Sequence, residues 1–370
     1  MTRTLSAAFL TDAPRVAGSE IWLLEVLPRL SAHGIRPSVF LPQAGPLDEL
    51  AARLGAAGVA AHRYARFTDL PALSADFDVR VLQAWTPAAY TALLPTLAAP
   101  RVVIVHDQLD YHYPLGLRLL YREIYRHTKA RPQRLAERVV TVSEWGRAFL
   151  QRLGGAEVTA LRNGVDPERF QPASQAARQR LRAELGFDRF TVLVPGRFAP
   201  EKNQLAAVLA ARHARGLDFV FAGDMDSGTG ALARRLAGRL GLDNARFLGR
   251  RWDMPELYRA ADALLQPTLA ENQSLVTLEA MSSGLPVVTT PIPAQAELVG
   301  GGRGGVLVPP QPTLLARALN ALAAHPDRAR ALGAAGRGQV LARHTLTQTA
   351  TRTAQLLREA AEPSGRTPLN

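Results

Sequence analysis

Two carboxylates eight residues apart, Glu271 and Glu279, flank a stretch of backbone that could hold an anion. The segment from Gln266 to Thr290, QPTLAENQSLVTLEAMSSGLPVVTT, reads as a polar loop, a helix over about Ser274 to Ser283, a stop at Gly284 and Pro286, and a buried strand. The helix is apolar almost all round, which predicts burial, yet it carries Glu279, and a buried carboxylate needs a partner. At its start, the N–H groups of Ser274, Leu275 and Val276 and the positive end of the helix dipole favour a phosphate. A diphosphate on the helix end, with ribose and sugar hydroxyls on the two carboxylates, would use all of these groups. A solvated Glu271 and a Glu279 paired with one of the many arginines would satisfy them equally.

A second group lies in FTVLVPGRFAPEKN. Arg197 and Lys202 stand five apart on a Gly/Pro-containing loop directly after a buried strand, and two cations at one strand end suit a diphosphate. The bland alternative is a solvated basic loop. Lys202 and Lys129 are the only lysines, so a compact point charge at Lys202 stands out. Gly18, between the first strand LSAAFL and the helix from Glu20 to Ala32, either admits a phosphate or sugar close to backbone or is a plain turn glycine. His106 and Asp107 end the apolar run RVVIV, at the edge where open parallel sheets place ligands. A histidine there can donate to a substrate hydroxyl or stabilise charge at a reacting centre, or be an ordinary loop residue.

Several chemistries lose support. No GxGxxG or GxxxxGK[ST] follows the first strand, which argues against a dinucleotide or P-loop site. Asp224-Met225-Asp226 and Asp76-Phe77-Asp78 match a metal-binding DxD, but so short a match arises by chance among 32 acidic residues, and no metal is expected. Without cysteine there is neither a disulfide framework nor a thiolate nucleophile.

The elements that must position these residues are short buried strands alternating with helices, which predicts parallel α/β sheets. A length of 370 residues allows two domains, and 47% hydrophobic with 21% charged residues is a globular composition. The Asn163-Gly164 turn and the polar stretch after it place a boundary near residue 170. The expected division is 1–170, 171–345, and a C-terminal helix and tail over 346–370 that can pack back on the first domain. No secretory h-region and no run of about 18 apolar residues occurs, so a cytoplasmic protein is expected. The net charge of +12 invites an anionic partner, but no nucleic-acid motif supports it, and a nucleotide with a membrane surface suits it better. Leu115 to Val140, rich in Leu, Tyr and Arg, reads either as a basic amphipathic helix able to lie on an anionic membrane or as a surface helix with solvated arginines.

Taken together, the pieces GSE, VHD, VVTVSEW, RNGVDPERF, VPGRFAPEK, FVFAGD, FLGR, YRAADALLQPT, Glu271 and Glu279 with EAMSSGLPVV, and GVLVPP resemble the retaining glycosyltransferases of family 4. They fall in the family's order along nearly the whole chain, with the second half matching best. The resemblance implies an α/β protein of GT-B fold, two Rossmann-like domains whose parallel sheets face a central cleft, the first binding acceptor and the second a nucleotide sugar. It implies that Arg197 and Lys202 bind the donor diphosphate, Glu279 the ribose and Glu271 the transferred sugar. Asn272, Gln273, Ser274 and Leu275 would contribute loop amides, Gly223 would line the base pocket, Gly18 would approach the diphosphate, and His106 would sit beside the sugar. The implied partners are a nucleotide-diphosphate sugar and a glycan or glycolipid acceptor of the cell envelope, with no metal, no cofactor and no nucleic acid. The leaving diphosphate, stabilised by Arg197, Lys202 and the helix start, would itself help deprotonate the acceptor. Where the family loop after the first Glu often carries glycines, this chain has Asn272, Gln273 and Ser274, a departure that bears on the donor sugar. Rival readings are a nucleotide-sugar epimerase or hydrolase of the same fold, and a non-catalytic nucleotide-sugar-binding or membrane-associated scaffold.

Overall fold

Helices return the chain over the sheet between successive strands, so neighbouring strands run parallel throughout the residues described, 3–110, 115–154 and 157–362 of this computed structural model. The described residues of 1–109, 114–163 and 346–370 form one unit, and those of 110–113 and 164–345 form a second.

The first unit holds β1 (Leu5–Leu10), β2 (Ile35–Pro42), β3 (Ala60–Tyr64), β4 (Val79–Leu82), β5 (Arg101–Val105), β6 (Arg138–Thr141) and β7 (Val158–Ala160). Their order is β3-β2-β1-β4-β5-β6-β7. Side chains alternate across a strand, so Ala7 and Phe9 enter one core with Trp22, Leu23 and Val26 of the helix Gly18–Leu30. Ala8 and Leu10 enter the opposite core with Tyr90 and Leu93 of the helix Pro87–Leu93. Each buried Leu or Phe contributes about 1.5–3 kcal/mol. The helix Leu346–Ala361 packs into the first of these cores through Leu346, Ala350, Ala354 and Leu357, so the chain's last helix belongs to its first unit.

The second unit holds β8 (Thr191–Pro195), β9 (Asp218–Ala222), β10 (Ala245–Gly249), β11 (Ala263–Gln266), β12 (Val287–Thr289) and β13 (Gly305–Leu307), in the order β10-β9-β8-β11-β12-β13. Val192 and Val194 face one core and Leu193 the other. Both sheets therefore reverse their winding once, between β1 and β4 and between β8 and β11. The carboxyl ends of strands at such a reversal leave a crevice, because the flanking loops depart to opposite faces.

Two stretches differ from the sequence reading. The basic segment after Leu115 is a helix Leu115–Tyr125 that widens into a π-helical turn over Arg126–Ala130, followed by a 3-10 turn Pro132–Leu135 before β6. The helices Pro312–Ala324 and Pro326–Arg343 carry no motif and were not foreseen in the sequence.

Candidate functional site

In the second unit the chemistry gathers at the β8/β11 reversal. The loop leaving β8 is tied to the end of β9, where Gly196 N–H donates to Ala222 O at 2.9 Å and Phe198 N–H to Asp224 O at 2.8 Å. It is also laced to the loop leaving β11. Thr268 Oγ1 and Leu269 N–H both donate to Glu201 O, at 3.0 and 2.7 Å, and Asn203 Nδ2 donates to Pro267 O at 3.1 Å. Asn203 adopts a φ of 55°, a left-handed conformation that asparagine tolerates better than most residues. Gln204 Nε2 donates to Arg197 O at 2.6 Å, fixing the backbone from which the guanidinium projects.

Held this way, Arg197 pairs with Glu201, and Lys202 pairs with Glu271, whose Oε1 also lies 3.4 Å from Gln266 Nε2. Glu271 is buried and so is not a solvated loop residue. Arg197 and Lys202 share one strand end, as their spacing suggests, but neither is a bare cation. Each already holds a carboxylate, because a charge withdrawn from water needs a counter-charge.

Ser274 caps the helix Leu275–Ser282, its Oγ accepting from Thr277 N–H at 3.3 Å. Asn272, Gln273 and Ser274 are buried, and Leu275 is half-buried. The partner that Glu279 requires includes Tyr258 of the helix Met254–Ala260, whose hydroxyl donates to Glu279 Oε2 at 2.7 Å. Burial, and then the neighbouring charge of Glu279, push the Tyr258 hydroxyl well above its usual pKa, so it stays a donor. Gly223, just after β9, has a structural reason of its own. A Cβ there would lie 2.1 Å from Gly196 O, so the ends of β8 and β9 approach too closely for any side chain. Asp224 closes a turn, its Oδ1 accepting from Asp226 N–H at 2.9 Å, and Asp78 bonds to Arg3 and Ser6.

His106 and Gly18 belong to the first unit. His106 follows β5, with Gln83 Nε2 3.1 Å from its Nε2 and the Trp22 ring 5.3 Å from its own. The residue keeps some exposed surface, yet the dense packing around the imidazole pushes its pKa down to about 3. It is therefore a neutral donor or acceptor near neutral pH. If the amide donates, as placed, the His106 proton sits on Nδ1. The adjacent Asp107 accepts from Lys129 Nζ at 2.7 Å and from Tyr125 O–H at 2.9 Å. Gly18 opens its helix in an exposed position, with nothing within 4 Å of a built Cβ and no left-handed φ, so neither a turn nor packing demands glycine there.

Two buried acids were missed, Glu201 beside Arg197 and Glu20 in the first unit. Glu20 is fully buried at the β1/β4 reversal, accepting from Ser19 Oγ at 3.0 Å, Ala17 N–H at 3.1 Å and Trp85 Nε1 at 3.3 Å. Burial raises its pKa to about 7, with those hydrogen bonds opposing the rise. Asp12 accepts from the N–H groups of Trp85 and Thr86, so two acids tie the loop leaving β1 to the loop leaving β4. An acid three residues after Ala17, at the third position of a helix, is the capping pattern that could have marked it.

Residues 189–325 match the family model described as glycosyl transferases group 1, and residues 16–169 match the one described as glycosyltransferase family 4. The chain is 32% identical over 216 residues to a D-inositol 3-phosphate glycosyltransferase of Streptomyces bingchenggensis, covering 54% of this chain and 48% of that one. It is 30% identical over 247 residues to an alpha-maltose-1-phosphate synthase of Mycolicibacterium smegmatis, covering 61% and 64%. The chain thus spans about half to two thirds of the length of these relatives. Its fold matches the crystal structure of Anabaena HepE in complex with UDP and glucose at a TM-score of 0.83, over 96% of this chain and 99% of that one, with 20% identity.

Proposed function

Since the chain belongs to the group 1 glycosyl transferases of family 4 and has their GT-B fold, we propose that it moves a hexosyl group from a nucleoside diphosphate sugar to a hydroxyl acceptor with retained configuration. The observation that carries this reading is the β8/β11 crevice, where Arg197 and Lys202 stand in one loop beside a buried Glu271.

In the proposed reaction the bond from the anomeric carbon to the diphosphate oxygen breaks and its electron pair stays on the phosphate. The acceptor oxygen bonds to the same face of the sugar, and its proton passes to the departing phosphate oxygen. Negative charge grows on the diphosphate, so groups fixed beforehand around it lower the barrier. Arg197 has enough N–H donors to keep Glu201 while taking a phosphate oxygen, and the Lys202 ammonium has protons beyond the one given to Glu271. Glu271, paired with Lys202, accepts from a sugar hydroxyl. Glu279, braced by Tyr258, accepts from the ribose. Two protein cations supply the counter-charge, and no metal is required.

The acceptor proposed is a cell-envelope glycan or glycolipid, in keeping with the chain's charge of +12. Release of nucleoside diphosphate from UDP-, GDP- and ADP-sugars, followed with and without hydroxyl acceptors, tests the proposal. UDP-glucose is the natural first donor, given the ligands of the Anabaena structure. Release that requires an acceptor, with an unchanged anomeric configuration by NMR, supports transfer. Donor consumed without one indicates a hydrolase or epimerase, and binding without turnover indicates a non-catalytic nucleotide-sugar-binding protein.

A further inference from the structure

Gln83 follows β4 and is buried, 3% exposed, with its backbone N–H donating to Leu10 O at 2.8 Å at the end of β1. Its amide reaches one group, His106 Nε2 at 3.1 Å, and its Oε1 is buried with no partner among the described residues. An amide so poorly satisfied costs stability that an apolar side chain there would not, so packing alone does not account for it. The Trp22 ring, also buried, lies 5.3 Å from the imidazole, so His106 is held from two separate elements. The ring makes no other hydrogen bond among the described residues, which leaves Nδ1 without a protein partner.

The orientation of the amide follows from what each choice strands. With the amide nitrogen toward the histidine, the acceptor left over is a carbonyl oxygen. Turned over, Oε1 would accept from His106 Nε2–H, and both amide N–H groups would be buried with nothing to bond. Buried donors without acceptors are the rarer defect in folded proteins. A neutral imidazole facing that donor accepts at Nε2 and carries its proton on Nδ1.

We propose that Gln83 is a positioning residue that fixes the Nδ1–H tautomer of His106, making the histidine a hydrogen-bond donor, and not a base, toward a substrate oxygen. With Nε2 committed to Gln83, the ring can bond a hydroxyl through Nδ1–H but cannot remove its proton. That a sugar hydroxyl is the partner rests on the transfer reading above, whereas the tautomer does not.

Long-range proton–nitrogen NMR of the unliganded protein tests it, with the His106 signals assigned against His106→Gln. In the wild type Nε2 should be the unprotonated nitrogen and Nδ1 the protonated one around neutral pH. Gln83→Glu exchanges the donor for a carboxylate, which should move a proton to Nε2, raise the pKa of His106 above its wild-type value and lower kcat by about tenfold or more. Gln83→Met, which has no donor, should leave a mixture of the two tautomers. A proton on Nε2 in the wild type, or the wild-type tautomer retained in both variants, overturns the proposal. So does a Gln83→Glu variant whose tautomer changes while kcat does not. The Nδ1–H tautomer in a wild type that transfers no sugar supports the role of Gln83 and overturns the transfer reading instead.

Discussion

The Lys202 ammonium and the Glu271 carboxylate meet at the β8/β11 reversal and are both largely withdrawn from water. Each makes the other tolerable in that position, and together they join the loops that leave two neighbouring strands. Lys202→Met should therefore do two things. It should lower transfer by about 10²-fold or more, the scale of losing one transition-state donor. It should also destabilise the fold by about 3–5 kcal/mol, because Glu271 is left buried and unpaired. Lys202→Met/Glu271→Gln should recover part of that stability and none of the activity. Denaturant unfolding of the two single variants and the double variant measures the coupling, and additive effects would show that the pair is incidental.

Tyr258→Phe removes the hydroxyl that braces Glu279 at 2.7 Å. A hydrogen bond to a charged group contributes about 1.5–3 kcal/mol, so donor Kd should rise by roughly tenfold or more while kcat changes little. Titration calorimetry with the donor, set beside steady-state rates, separates the two effects. A fall in kcat at unchanged Kd would mean that Glu279 does more than hold the ribose.

Glu20 and His106 make opposite contributions to stability as pH changes. Glu20 has a pKa near 7 in the fold against 4.5 when free, so the stability of its protonated form is fully present below about 4.5 and is lost as pH rises through 7. That loss is on the order of 3 kcal/mol. His106 falls from 6.5 to about 3, so its contribution is present above 6.5 and is lost as pH falls toward 3. Between pH 4.5 and 6.5 the two slopes oppose each other. Glu20→Gln should unmask the histidine, giving a melting temperature that climbs more steeply with pH up to about 6.5 than in the wild type. Identical profiles for variant and wild type would mean that Glu20 titrates normally.

Gly223→Ala sets a methyl group 2.1 Å from Gly196 O and should cost about 1–3 kcal/mol of stability with or without donor present. A variant that melts like the wild type but binds donor weakly would assign Gly223 to the ligand instead of to the meeting of the strands.

If the two cations supply the counter-charge, excess EDTA should leave turnover within about twofold of the untreated rate, because no metal then shares in stabilising the leaving group. Loss of activity restored by a divalent cation would bring Asp224 and Asp226 back into consideration.

The residues legible in the sequence were those whose chemistry is local. Arg197 and Lys202 sit five apart on the loop after a strand, and Ser274 opens an apolar helix, so neighbouring residues alone bring them to one strand end. The lone Glu279 announced that it needed a partner, but Tyr258 comes from a different helix 21 residues upstream, and no local pattern joins the two. Glu20 looked like an ordinary acid at a helix start, because burial depends on Trp85 and Thr11 brought in by separate strands. The period of Leu117, Leu120, Tyr121 and Ile124 was readable, but which side of that helix meets solvent depends on the packing of the whole unit. The Ala-rich helices Pro312–Ala324 and Pro326–Arg343 lack a motif, and the second also lacks a sharp polar face, so little marked them.

The most direct test is a thermal-shift series of UDP-, GDP- and ADP-sugars on the wild type and on Lys202→Ala, each read against its own unliganded melting temperature. A donor at about a hundredfold its Kd stabilises by about 2.7 kcal/mol, well within detection. The account predicts that one nucleotide sugar raises the melting temperature of the wild type and not that of the variant. An equal rise in both would remove Lys202 from the donor site. No rise with any of them would contradict a nucleotide-sugar site in this crevice.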